Sequence, residues 1–156
     1  MRTQLLPPGD NPRHHDGSRP GGHDNNQTDI SKLTVVVVED DFLSLLEAES
    51  VAEDAGLDVL ATASNAEEAL EVIAKCRPDI VLMDINLGKG RDGIDVAIEV
   101  NQRFGTRILF TTAYSDKVLK ARAHASKPLG WVNKPFSSQM LLEAIIDARD
   151  RLKPGN

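Results

Sequence analysis

The chain has one cysteine, Cys76, among 156 residues, so no internal disulfide can staple it, and a reducing compartment is expected with Cys76 inert. Aromatic residues make up only 4% of it, so aliphatic side chains must fill any core. Cations are outnumbered: 18 Lys and Arg face 24 Asp and Glu, a net charge of −6. That balance argues against a nucleic-acid surface or a polybasic membrane patch. No segment approaches the ~18 consecutive apolar residues of a membrane helix, and the amino terminus lacks the apolar stretch of a signal peptide. A cytoplasmic protein is expected. With 40% apolar residues there is enough for one real core, and the length suits one domain with a modest tail.

Residues 1–32 hold four of the eight prolines and four of the eleven glycines, with Met1, Leu5, Leu6 and Ile30 as the large apolar residues. Such a segment cannot offset its ordering entropy by burial and is expected to be disordered. His14, His15 and His23 lie in it, and without a structured frame or a fourth ligand they read as a solvated tail rather than a metal site.

From Leu33 the pattern becomes β/α alternation. Val35–Val38 is a β-branched run ending in Glu39, Asp40 and Asp41, with Asp41 suited to cap the helix that follows. That helix places Phe42, Leu45, Ala48, Ala52 and Ala55 near one face and stops at Gly56. Val59–Ala63 reads as a second strand, and Ser64 with Glu67 as a capping box for a helix facing inward through Ala66, Ala69, Leu70, Ile73 and Ala74. Ile80–Met83 is an apolar run without polar alternation, the pattern of a strand buried on both faces, and it ends in Asp84. After the polar loop LGKGRDG comes a helix with Ile94, Ala97 and Ile98 inward, ending near Gly105. Arg107–Thr112 is the fourth strand, 115–125 a polar helix, and Leu129–Val132 a short fifth strand. Ser137 can cap the last helix, whose face is Leu141, Ala144, Ile145, Ala148 and Leu152. Five such units imply an α/β fold, a right-handed, doubly wound parallel sheet.

Ligands of such sheets bind at the carboxyl ends of the strands, at the switch in strand order. With the flavodoxin-like order 2-1-3-4-5, the first and third strands are neighbours, and Glu39, Asp40 and Asp84 converge. Clustered carboxylates repel one another, a divalent cation relieves this, and an all-oxygen site without His or Cys selects a hard ion such as Mg²⁺. Lys134 adds a positive charge and Thr112 a hydroxyl. Positioning and charge neutralisation of this kind serve phosphoryl transfer, with Asp84 as the nucleophile that becomes an acyl phosphate.

Two enzyme readings compete. Gly88, Gly90 and Gly93 spell G-x-G-x-x-G, formally a dinucleotide fingerprint, but it follows the third strand and is flanked by Asp84 and Asp92, which would repel a pyrophosphate. These glycines read instead as a flexible loop. An aspartyl phosphatase of the haloacid dehalogenase type carries a second Asp two residues after the first; here that position is Asn86, which cannot exchange protons near neutral pH. A phosphate-independent interaction module is a third alternative.

From Leu33 to Leu152 the chain resembles a receiver domain of two-component response regulators. The motifs are VVED (37–40), the Asp84 strand, DG (92–93), TTA (111–113) and NKPF (133–136). The resemblance implies that Asp84 accepts phosphate from a histidine kinase or histidine phosphotransfer protein. It implies that Glu39 and Asp40 hold Mg²⁺, Asp40 directly, with Asp84 and the backbone carbonyl of Asn86 as further ligands. Thr112 and Lys134 would contact the phosphoryl oxygens, and Trp131 falls at the aromatic switch position. Asn86 and Tyr114 stand where the family tunes phosphate lifetime. Such a protein catalyses only its own phosphorylation and dephosphorylation, and the family admits homodimers. Three departures stand out: Leu87-Gly88 replaces the usual Met-Pro, with the Asp84–Asp92 interval one residue longer than usual; Tyr114 is bulky; and Trp131 exceeds the usual Tyr or Phe. LFTTAY and PLGWVNKPF also resemble stand-alone receivers served by kinases of the HWE class. With residues 153–156 as a short tail after Leu152, no output domain is expected, and signalling to a downstream protein would run through protein–protein contacts or phosphorelay.

Overall fold

A computed structural model describes residues 33–113 and 116–151. The expectations for residues 1–32, Tyr114, Leu152 and the tail 153–156 lie outside those residues.

The order of elements is β1 (Thr34–Val38), α1 (Phe42–Asp54), β2 (Asp58–Ala63), α2 (Ala66–Cys76), β3 (Ile80–Asp84), α3 (Gly93–Phe104), β4 (Arg107–Thr112), α4 (Lys117–Ala123), β5 (Gly130–Asn133) and α5 (Ser138–Arg151). All strand pairs are parallel, in the order β2-β1-β3-β4-β5. The flavodoxin-like sheet read from the sequence is therefore the sheet observed.

Each strand of β1 and β3 feeds two cores, which is why their sequences show no polar alternation. Val36, Val38, Val81 and Met83 face α2 and α3, with Phe110 and Ala123 in the same cluster. Val35, Val37, Ile80 and Leu82 face α1 and α5, with Leu141, Ile145 and Ala148. Asp41 caps α1 by accepting from the Ser44 amide at 2.8 Å, and Gly56 follows the helix with φ of 87°. Gly105 closes α3 in the left-handed region at φ 66°.

Three local expectations are corrected. Asn65, not Ser64, caps α2, accepting from the Glu68 amide at 2.9 Å. Glu68, not Glu67, reaches back to the Ser64 amide and hydroxyl, each at 3.0 Å, so the box is displaced by one residue because the helix starts one residue later. Phe42, expected to face inward, is 69% exposed: it lies on the outward stripe of α1, which continues through the exposed Leu46, Ser50 and Glu53, while Ala48 and Ala52 face the core. α4 is shorter than the expected 115–125 and hands over to a 3-10 turn at His124–Ser126. Among the described residues no helix is long and apolar enough to cross a membrane.

Candidate functional site

Register fixes where the charged residues emerge. Val38 pairs with Met83, so Glu39 and Asp84 leave β1 and β3 side by side. Thr112 pairs with Asn133, and the Lys134 amide donates to the Thr112 carbonyl at 2.9 Å, so Thr112 and Lys134 emerge together one strand further on. The four expectations of place for Glu39, Asp40, Asp84 and Lys134 converge on one pocket. One carboxylate oxygen from each of Glu39, Asp40 and Asp84 lies within 4.8 Å of the others.

Burial differs sharply within the cluster. Glu39 and Asp84 are 4% and 7% exposed, whereas Asp40 faces solvent. The Lys134 ammonium lies between the buried pair, donating to Glu39 Oε2 and standing 3.3 Å from Asp84 Oδ2. Burial pushes the Glu39 carboxyl up; the Lys134 hydrogen bond opposes this, the Asp84 charge reinforces it, and the result is about 7. Burial pulls Lys134 down, but its hydrogen bond to Glu39 and the Asp84 charge outweigh that and hold it above its ordinary value. One ammonium against three carboxylates leaves room for a cation, and the donor set is all oxygen, so the residues present fit a hard divalent ion.

The loop after β3 turns back over this cluster. A Cβ on Gly88, whose φ is 78°, would stand 3.6 Å from Asp40 Oδ2. Asn86 lies at the start of that loop, exposed, its Oδ1 accepting from the Gly88 amide at 3.2 Å. Gly93 corrects the reading of the loop glycines as mere flexibility. It is buried at the start of α3, and a Cβ there would fall 1.9 Å from the Asp84 carbonyl oxygen, so no other residue fits. Its amide donates to the Ile85 carbonyl at 2.7 Å. The D-G pair at 92–93 was the available signal, and only the packing explains it.

Thr112 is buried at the end of β4. Trp131 lies on β5, half-buried, stacked on Phe110 with ring centroids 4.7 Å apart and planes inclined by 22°, and Lys120 of α4 lies 5.6 Å from its ring centre. The dinucleotide reading loses its geometry as well as its charge, because Gly93 is wedged against backbone rather than lining an open cradle. Beside the acidic pocket is a cavity of about 340 Å³ lined by Ser44, Glu47, Ala48, Ala113, Lys134, Pro135 and Phe136.

A doubly wound parallel sheet of order β2-β1-β3-β4-β5, with an acidic pocket and a lysine at its carboxyl edge, defines a flavodoxin-like α/β domain. Residues 35–146 match the response regulator receiver domain, and the chain belongs to that family. It is 31% identical over 119 residues to the transcriptional regulatory protein PdtaR of Mycobacterium tuberculosis, covering 76% of this chain and 58% of PdtaR. It is 28% identical over 103 residues to the phyllosphere-induced regulator PhyR of Methylorubrum extorquens, covering 65% of this chain and 38% of PhyR. This chain thus corresponds to part of each of these relatives. Among solved structures, the signal receiver domain of a modulated diguanylate cyclase from Desulfovibrio desulfuricans superposes with a TM-score of 0.70 at 32% identity, covering 76% of this chain and 94% of that one. The chemotaxis protein CheY4 of Vibrio cholerae does so at 0.69 and 27% identity, covering 75% and 98%.

Proposed function

We propose that this protein receives a phosphoryl group on Asp84 from a phosphohistidine of a sensor kinase or phosphotransfer protein and signals through the protein contacts that follow. The observation that carries this reading is the meeting of Glu39, Asp40, Asp84 and Lys134 at the ends of β1, β3 and β5. An Asp84 carboxylate oxygen attacks phosphorus, the P–O bond forms as the P–N bond breaks, and the leaving histidine nitrogen takes a proton from solvent. Lys134, already 3.3 Å from Asp84 Oδ2, is within reach of an oxygen on the group that Asp84 would carry. Thr112, which emerges beside it, would supply a hydroxyl donor to the same group. Asp40, Asp84 and the Asn86 carbonyl would hold Mg²⁺, with Glu39 in support. The ion, when bound, neutralises charge that builds on the phosphoryl oxygens.

The donor has a surface to meet. Phe42, Leu43 and Leu46 are 69%, 73% and 46% exposed on α1, the helix that follows Asp40, and suit an apolar helical face bearing the phosphohistidine. The reading places the protein in the cytoplasm, where kinase and target would share its compartment.

Incubating the protein with Mg²⁺ and acetyl phosphate and weighing it intact tests the proposal. One phosphoryl group should appear on wild type and none on Asp84→Asn. Incorporation that survives the substitution, or proceeds unchanged in excess chelator, ends it.

A further inference from the structure

α4 is lightly packed. Of its seven residues only Ala123 is buried, and Val118 is 77% exposed. Among the described residues, the ion pairs that join it to α3 are both made by Arg122. One guanidinium nitrogen, Nη2, lies 2.6 Å from Asp92 Oδ1 and 3.0 Å from Asp95 Oδ1. Asp92 is the cap of α3, and that same Oδ1 accepts from the amides of Ile94 and Asp95 at 3.0 Å each. The next residue is Gly93, whose amide holds the Ile85 carbonyl and whose Cα abuts the Asp84 carbonyl too closely for any Cβ. The start of α3 therefore cannot shift without moving the backbone of Asp84 and Ile85. Arg122 holds that start through Asp92 and Asp95.

We propose that Arg122 is a positioning residue that couples α4 to the backbone of Asp84, so that filling the acidic pocket and shifting α4 become one linked event. This rests on the phosphoacceptor reading above. The link is short: guanidinium, Asp92 carboxylate, Gly93 backbone, Asp84 carbonyl. It is also reciprocal, because a coupling between two places acts with equal strength in both directions. The competing account is a solvated surface ion pair with no consequence.

Hydrogen–deuterium exchange of the full chain, with and without Mg²⁺ plus beryllofluoride, separates the two. Fluorine NMR of the bound beryllofluoride first establishes that the pocket is filled. In wild type, filling it should change exchange in both 85–93 and 117–123, the latter by roughly two- to fivefold, the range that exposed ion pairs supply. In Arg122→Ala the change in 85–93 should remain and that in 117–123 should vanish. Asp92→Asn, which keeps a capping oxygen but loses the charge, should behave like Arg122→Ala, and Arg122→Lys should recover part of the response. An undiminished α4 response in Arg122→Ala overturns the coupling, as does a wild type that binds beryllofluoride without any change in α4. If wild type binds no beryllofluoride at all, the phosphoacceptor reading itself fails and the coupling falls with it.

Discussion

The two halves of the sheet's carboxyl edge are built differently. On the β1–β3 side, strands buried on both faces deliver carboxylates to fixed positions, and Gly93 is jammed against the backbone of Asp84. On the β4–β5 side, α4 buries one residue, Trp131 is half-exposed, and Lys120 of α4 reaches over its ring. A reacting carboxylate needs fixed geometry, whereas an element that reports its state needs two arrangements of similar free energy. The contrast is that of a tightly packed site beside a lightly packed helix.

The largest test of the rigid half is Gly93→Ala. With the Asp84 carbonyl 1.9 Å from the new methyl, backbone must move, and overpacking of that kind should cost about 3 kcal/mol or more. Urea unfolding checks it; a cost below about 1 kcal/mol would show that the junction yields.

Next comes Glu39, the strained member of the pocket. Its folded value of about 7 lies above the ordinary glutamate value of 4.5, so the folded state favours the protonated form. In cation-free protein this contribution is fully present below pH 4.5 and is lost as pH rises through 7, on the order of 3 kcal/mol across the window. Lys134 stays protonated throughout and adds no slope there. Melting temperature in chelator should therefore fall between about pH 5 and 7.5, and Glu39→Gln should flatten that segment. Added Mg²⁺ should stabilise more as pH rises over the same range, since cation binding needs the ionised carboxylate. A slope that survives Glu39→Gln places its origin elsewhere.

One substitution made twice sharpens the comparison further. Val81→Ala on β3 removes buried methyls at a position with no exposure and should cost about 2 kcal/mol. Val118→Ala on α4, at 77% exposure, should stay within about 0.5 kcal/mol, with alanine's better helix propensity offsetting any lost contact. Equal costs would abolish the distinction between the halves.

What the sequence disclosed follows the same division. The runs Val35–Val38 and Ile80–Met83 were legible as doubly buried strands because burial on both faces erases polar alternation, and Asp84 stood out by ending one of them. The meeting of Glu39, Asp40 and Asp84 followed from β/α alternation with an assumed flavodoxin-like strand order, and five motifs in sequence agreed with it. Two particular side-chain pairings were not legible. Lys134 was recognised as a charge, but its bond to Glu39, 95 residues away, depends on two strands lying apart by a set distance. Arg122 and Asp92, 30 residues apart, carried no local sign of pairing. Phe42 misled because it is apolar yet lies on the outward stripe of α1, with the exposed Leu46 one turn on. Asn65 and Ser64 are both good caps, and only the helix start chooses between them.

The smallest effect belongs to Lys120. Its ammonium stands 5.6 Å from the centre of the Trp131 ring, which also stacks on buried Phe110. An exposed cation over an indole contributes about 0.5–1 kcal/mol, so Lys120→Met, which keeps much of the stem and removes the charge, should lower stability by no more than that. The emission of Trp131 should respond far more than stability does, because Trp131 is the single tryptophan and the charge lies against its ring. Wild type given Mg²⁺ and beryllofluoride should then change emission if α4 carries Lys120 away from the ring. Lys120→Met should lose that part of the change while still binding both ligands. Phe110 holds one face of the indole in the core, so inward rotation of the ring would have to break a stack worth about 0.5–1.5 kcal/mol, whereas moving α4 breaks only the cation contact. The cheaper motion should dominate, making Trp131 chiefly a stationary sensor of a moving lysine. A full emission response in Lys120→Met would reverse that order and show that the ring itself turns.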